Sequence, residues 1–251
     1  MDGDADIFVP ASLLGDPARV RLLMALADGR ALPASMLAAE VSVAASTASQ
    51  HLARLRDAGM LAVQAHGRHR YYRITDPRVV RAMEALAEIS PTAPVRSLRQ
   101  GTRASALRRG RLCYDHLAGQ LGVALMAALT DGGAIEGGDG LHHPEDAPTD
   151  RLSAPGHGAD LLRGFGVDLG ALHARGRSLI RYCLDWTEQR HQLAGSLGAA
   201  IGDRLLELGW IRRSRTSRAV QLTDAGTAGL ATTFGVHPEN TSVTSASTAS
   251  P

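Results

Sequence analysis

Apolar residues recur at helical spacing through Val20, Leu22, Leu23, Leu26 and Ala27, and Asp16-Pro17 stands before them as an N-cap with proline at the first helical position. The pattern predicts a helix that stops at Asp28-Gly29. Pro33 opens a second helix, through Leu37 to Glu40. After the break Val41-Ser42-Val43, the segment from Ala44 to Ala58 sets Ala48, Leu52, Leu55 and Ala58 on one face, with Gly59 at the C′ position. Two short β-rich runs follow, Met60 to Ala65 and Arg70 to Ile74. They are joined by His66-Gly67-Arg68-His69, the composition of a hairpin tip. Asp76-Pro77 then caps a helix carrying Val79, Val80, Met83, Leu86, Ala87 and Ile89.

Helix, tight turn, helix and hairpin in this order make a winged helix-turn-helix. Three stretches carry a closer likeness: Leu14-Gly15-Asp16-Pro17-Ala18-Arg19; Ser46-Thr47-Ala48-Ser49-Gln50-His51-Leu52 followed by Leu55-Arg56-Asp57-Ala58-Gly59; and Gly67-Arg68-His69-Arg70-Tyr71-Tyr72-Arg73-Ile74. Together they resemble the ArsR/SmtB family of bacterial repressors over residues 8 to 90. The resemblance implies a DNA-binding regulator. It also implies places for thiophilic metals, namely cysteines in the helix before the turn or Asp and His on the last helix. Neither set is present, since Ala34 to Val43 holds no Cys and Asp76 to Ser90 no His.

The reading chemistry follows from the residues themselves. Ser46, Thr47, Ser49, Gln50 and Arg54 face away from the apolar stripe, and His51 lies beside them. Gln pairs with adenine and Arg with guanine in the major groove, while small hydroxyls at a helix N-terminus hold phosphates. Arg68, His69 and Arg70 of the wing reach the backbone or the minor groove. Alternation along the strand turns one of Tyr71 and Tyr72 into the core.

Beyond residue 90 the chain repeats itself. Cys113-Tyr-Asp115 recurs as Cys183-Leu-Asp185, and Leu117-Ala-Gly-Gln-Leu-Gly122 as Leu193-Ala-Gly-Ser-Leu-Gly198. Leu152-Ser-Ala-Pro-Gly156 matches Leu222-Thr-Asp-Ala-Gly226, and Phe165-Gly-Val167 matches Phe234-Gly-Val236, with the order kept. The expected fold is mainly α with short β-hairpins, the winged helix being followed by two degenerate winged-helix-like repeats. The expected divisions are 1–90 for the DNA-binding domain, 91–112 for an Arg-rich linker or helix, 113–170 and 171–238 for the repeats, and 239–251 for a disordered tail. In the second copy Leu193 to Leu208 reads as a helix, Trp210 to Arg213 and Ala219 to Leu222 as a hairpin, and Asp224 as a cap. In the first copy a Gly-, His- and Pro-rich insert, Gly132 to Pro148, replaces the hairpin as a mobile loop. Segments similar to Cys113-Tyr-Asp-His-Leu-Ala-Gly119 follow ArsR-type domains in other bacterial regulators, with no ligand implied.

The most reactive side chains of this second part are Cys113, Asp115 and His116 with Cys183, Asp185, Trp186 and His191. Read as a helix, Cys113 and His116 share a face, at the spacing of ligands for a soft metal ion. Three readings stay open: metal ligands, redox-active thiols, or the wall of a core or small-molecule pocket, the last being preferred. His142-His143 in the insert read as solvent-exposed.

Composition narrows the classes. All 27 basic residues are Arg, which excludes lysine Schiff-base chemistry and Walker-type phosphate loops. Two Cys are too few for a disulfide framework, and no secretory leader opens the chain, so a reducing cytoplasm is expected. The apolar stretch Leu117 to Thr130 is short of the ~18 residues of a membrane helix. Against 25 acids the net charge is only +2, but six arginines from Arg96 to Arg111 precede any acid, and each basic run reads as a solvated surface. No metalloprotease, nucleophile-elbow or dinucleotide motif appears, so no enzymatic activity is expected. The reading is a homodimeric repressor of an inverted-repeat operator in double-stranded DNA, responsive to a small-molecule effector. The alternatives are a protein-interaction module with secondary DNA binding and a thiol- or metal-responsive sensor using Cys113 and Cys183.

Overall fold

Asp16 caps the first long helix as its sequence requires: its carboxylate accepts hydrogen bonds from the N–H groups of Ala18 and Arg19 at 2.9 and 3.0 Å. The computed structural model describes residues 5–66, 69–91, 97–136, 151–152, 157–173, 178–215 and 217–238. They fall into two compact units. One comprises Met1–Val95, Leu112–Asp115 and Ser214–Arg218; the other comprises Arg96–Arg111, His116–Arg213 and Ala219–Pro251.

The first unit is a winged helix-turn-helix. Its elements are α1 (Phe8–Leu14), α2 (Pro17–Leu26), β1 (Leu32–Pro33), α3 (Ala34–Val41), α4 (Ala45–Asp57), β2 (Leu61–His66), β3 (His69–Ile74) and α5 (Pro77–Glu88). Leu22, Leu23, Leu26, Leu37, Leu52 and Leu55 have no exposed surface and form the core where α2, α3 and α4 meet. Arg19 fastens α1 to α2, donating from Nε to the Leu13 carbonyl and from Nη2 to that of Ser12. Ser42, at φ +58°, makes the tight turn between α3 and α4. Gly59, at φ +75°, ends α4 where the sequence places a C′ glycine; Ala58, expected on the buried face, lies past the last turn and is exposed. The sheet order is β1-β3-β2, and His66 pairs with His69 across the wing tip. Tyr72 is the inward tyrosine, with Ile74 two residues on; Tyr71 is half-exposed.

In the second part of the chain come α6 (Leu98–Arg109), β4 (Arg111–Cys113), β5 (His116–Ala118), α7 (Gln120–Asp131), β6 (Ile135–Glu136), β7 (Arg151–Leu152), α8 (His157–Gly164) and α9 (Leu169–His173). They are followed by β8 (Arg181–Asp185), β9 (Arg190–Ala194), α10 (Gly195–Glu207), β10 (Ile211–Arg213), β11 (Val220–Leu222) and α11 (Asp224–Phe234). The order strand pair, helix, strand pair, helix thus runs from β4 to α8 and again from β8 to α11. Gly119 and Gly195, at φ +81° and +82°, stand at the strand-to-helix junctions of the two runs.

Several expectations need correction. Cys113 and His116 are not on a helix but at facing ends of the strands β4 and β5, because Tyr114 takes a left-handed φ of +56° and turns the chain back. The first run keeps a hairpin: Ile135 pairs with Leu152 and Glu136 with Arg151 at the edges of the insert. Leu193 and Ala194 belong to β9, so α10 begins two residues later than expected, at Gly195. Thr223 rather than Asp224 caps α11, its Oγ1 accepting from the Gly226 N–H. His142, His143 and the tail 239–251 lie outside the described residues.

Candidate nucleic-acid interface and effector residues

On α4, Ser46, Gln50 and Arg54 are exposed at positions i, i+4 and i+8, one ridge of the helix. At 1.5 Å per residue that ridge is about 12 Å long, the length of three to four base-pair steps. Ala44, at the N-cap, provides no side-chain acceptor, so the first N–H groups of α4 remain open to an anion. Ser49 is exposed, but its hydroxyl donates back to the Ala45 carbonyl at 2.9 Å. Thr47 and His51 are half-buried. The Nδ1 of His51 is buried with no hydrogen-bond partner among the described residues. The carboxyl of Asp16 is held below the usual range. The N–H of Arg19 is the largest cause of that shift.

On the wing, Arg70 is exposed, and Arg68 lies outside the described residues, as does the side chain of His69. Arg73, not singled out from the sequence, is exposed on the outer face of β3. The alternation that turns Tyr72 inward carries the signal for it.

The seven effector candidates are divided between the two units. Cys113, in the N-terminal unit, is buried, and its thiol donates to Glu84 Oε1 of α5 at 2.5 Å. Asp115 of the same unit is half-buried. In the C-terminal unit, His116 is buried, and one of its ring nitrogens lies within 4.8 Å of Cys183 Sγ. The amide of Gln192 donates to that sulfur at 3.4 Å. The His191 ring lies 5.5 Å from that of Tyr182, tilted by 51°.

Asp185 is fully taken up. Its Oδ2 accepts from Arg111 Nη2 at 2.8 Å and from the Gly119 N–H at 2.6 Å, and its Oδ1 accepts from the Thr187 N–H and hydroxyl and the Glu188 N–H. Burial, the largest influence, raises its pKa. The Arg111 guanidinium, the Thr187 hydroxyl and the backbone N–H groups outweigh it and hold the carboxyl below the usual carboxylate range. Arg111 also lies 4.9 Å over the ring of Trp186. Arg111 belongs to a basic run expected at a solvated surface, yet it is fully buried.

A second feature of this unit was not foreseen. An open groove of about 650 Å³ runs along α7 to the end of α11, floored by Val123, Ala124, Ala127 and Phe234 and edged by Arg190 and His237. None of the seven candidates lines it. Among the described residues no helix is long and apolar enough to cross a membrane.

The comparisons with known proteins agree with the first unit. The model described as "Bacterial regulatory protein, arsR family" matches residues 16–63. An uncharacterized HTH-type transcriptional regulator of Bacillus subtilis, YdfF, is 38% identical over 216 residues, covering 86% of this chain and 91% of that protein. The HTH-type transcriptional regulator CmtR of Mycobacterium tuberculosis is 37% identical over 76 residues, 30% of this chain and 64% of that one. Among solved structures, the AntR antimony-specific transcriptional repressor is 36% identical with a TM-score of 0.30, covering 32% of this chain and 72% of that one. The homodimeric winged helix-turn-helix DNA-binding domain of Mb0332 from Mycobacterium bovis is 24% identical with a TM-score of 0.30, covering 34% and 86%. The long match to YdfF joins the ridge on α4 and the wing in one conclusion: this chain belongs to the ArsR family of bacterial regulatory proteins and is a DNA-binding transcriptional regulator.

Proposed function

We propose that the chain is a homodimeric repressor that reads an inverted repeat through α4 and leaves it when an effector binds the C-terminal region. The observation that carries the DNA side is the Ser46, Gln50, Arg54 ridge beside the uncapped start of α4. Dimerisation is supported by apolar residues left in water on the first unit: Phe8 at 79% exposure beside Ile7 and Val9, and Ile89 at 81% beyond α5. One small winged helix contacts little DNA, and two copies set half-sites about one helical turn apart.

The two runs of strand pair, helix, strand pair, helix read as a degenerate duplication. The effector reading rests on that C-terminal unit, whose groove along α7 falls within the 300–1,000 Å³ typical of ligand pockets. A second reading, a thiol- or metal-responsive sensor, is favoured by the closeness of His116 to Cys183. No catalytic role is part of either.

A mobility shift with the DNA upstream of the chain's own gene tests the proposal, paired with sedimentation of the free protein. Discrete complexes on that DNA and dimers at micromolar concentration are expected; binding no tighter than to random duplex, or monomers only, defeats it. For the second reading, Cys113→Ser and Cys183→Ser together abolish release by metal or oxidant while sparing release by an organic ligand.

A further inference from the structure

The groove of the C-terminal unit follows α7 along its whole length, from Gln120 to Asp131, and takes in the end of α11 at Phe234. Its floor is apolar, and Ala124 and Ala127 keep open a space of about 650 Å³ that longer side chains on this face of α7 would fill. A surface of this kind gains from being covered by the apolar body of an organic ligand. It gives a small hydrated ion nothing to bind.

Charge decides the sign of the occupant. The C-terminal end of a helix carries a partial negative charge, and α7 and α11 both end at the groove with no basic residue in the last turn. The last residue of α7 is Asp131, an exposed acid, so a full negative charge is added where the dipole is already negative. Among the described residues no cation pairs with it. Glu188, the other acid of the lining, is engaged by Arg108 at 2.8 Å, and Arg190 on the basic side has a partner of its own. The end of α7 is left with negative charge beside an apolar floor, and a cation placed there relieves both at once.

We propose that this groove binds lipophilic organic cations, the apolar body lying on α7 and the positive centre toward Asp131. The inference rests on the reading of the groove as the effector pocket and gives that effector its chemical class.

The test uses the full chain and tetraphenylphosphonium, with tetraphenylborate as a probe of the same shape and opposite charge. Both are followed by equilibrium dialysis at about pH 8, which keeps protonated imidazole out of the measurement. Saturable binding of the phosphonium, tighter than that of the borate, is expected. Asp131→Asn is expected to weaken the phosphonium about fivefold, the effect of one charge pair at about 4 Å in water, and to leave the fold intact because the side chain is exposed. Ala127→Trp fills the floor and is expected to abolish phosphonium binding. An affinity that Asp131→Asn leaves unchanged, or a wild-type preference for the borate, overturns the proposal. So does binding that survives Ala127→Trp in a chain of wild-type melting temperature. Release from DNA is read separately by mobility shift. Phosphonium binding without release upholds the cation site and defeats the effector reading; release by an anionic ligand, with no phosphonium bound, does the reverse.

Discussion

Arg111 Nη2 lies 2.8 Å from Asp185 Oδ2, and neither side chain has any exposed surface. Asp185 also holds the Gly119 N–H at the start of α7, so one carboxylate ties β4, β8 and α7 together. Replacing one partner strands the other as a buried, unpaired charge. Asp185→Asn is therefore expected to cost about 3 to 5 kcal/mol, read by urea unfolding of the full chain. Arg111→Met with Asp185→Asn removes both charges and is expected to recover part of that loss. A single variant within about 0.5 kcal/mol of wild type, the range of ordinary surface changes, contradicts this account.

The same carboxyl sets a pH dependence. Its folded pKa is depressed below the unfolded value near 3.9. Its stabilisation is thus fully present above that value and is lost as pH falls through the folded pKa. The gap in stability between wild type and Asp185→Asn is expected to stay constant from about pH 7 to 5 and to narrow below about pH 4. A gap that widens on acidification rules the linkage out.

What the sequence shows and what it hides differ by the kind of interaction. Asp16-Pro17, the stripe Ala48, Leu52, Leu55 and Gly59 are local signals, and each lies where capping and periodicity put it. The i, i+3 spacing of Cys113 and His116 suits a helix. The reversal depends on Tyr114 adopting a positive φ, which composition does not announce. Arg111 was lost in a run of arginines since its burial depends on Asp185, 74 residues away. The two-residue strands β6 and β7 are too short for any alternation to register.

Gln50 and Arg54 share the exposed ridge, and the proposal has them read base edges and Arg68 hold the backbone. Gln50→Ala or Arg54→Ala is expected to reduce the preference for operator over random duplex by about 1 to 3 kcal/mol. Arg68→Ala is expected to weaken both and to lower the salt slope by about 1. Competition binding on the two duplexes separates these outcomes, and an equal loss on both from all three variants removes α4 as the reading helix.

Phe8 and Ile89 keep large apolar surfaces in water on a unit whose core is otherwise closed. Phe8→Glu with Ile89→Glu is expected to leave the melting temperature of the isolated chain nearly unchanged, since neither side chain is buried, while shifting sedimentation toward monomer. Operator affinity falls with it, because two half-sites are no longer bound together. Dimers of undiminished stability place the interface elsewhere.

Gly122 of α7 and Gly198 of α10 occupy matching places in the two runs. A Cβ on Gly198 would press into the Leu193 carbonyl and stand 3.3 Å from the Cβ of His116, and one on Gly122 would press into the Leu117 carbonyl and stand 3.3 Å from Oε1 of Gln192. The relation is reciprocal: each helix is approached by the strand residue of the other run, His116 immediately before Leu117 and Gln192 immediately before Leu193. Backbone carbonyls cannot rotate away as a side-chain end can. Gly122→Ala and Gly198→Ala are therefore each expected to destabilise the C-terminal unit by about 1 to 3 kcal/mol, the range of overpacked cores, despite the gain in helix propensity. Binding of DNA by α4 is expected to survive in both. Hydrogen exchange resolved by segment distinguishes the cases: faster exchange confined to β5, β9, α7 and α10 supports the reciprocal packing, and protection equal to wild type in those elements refutes it.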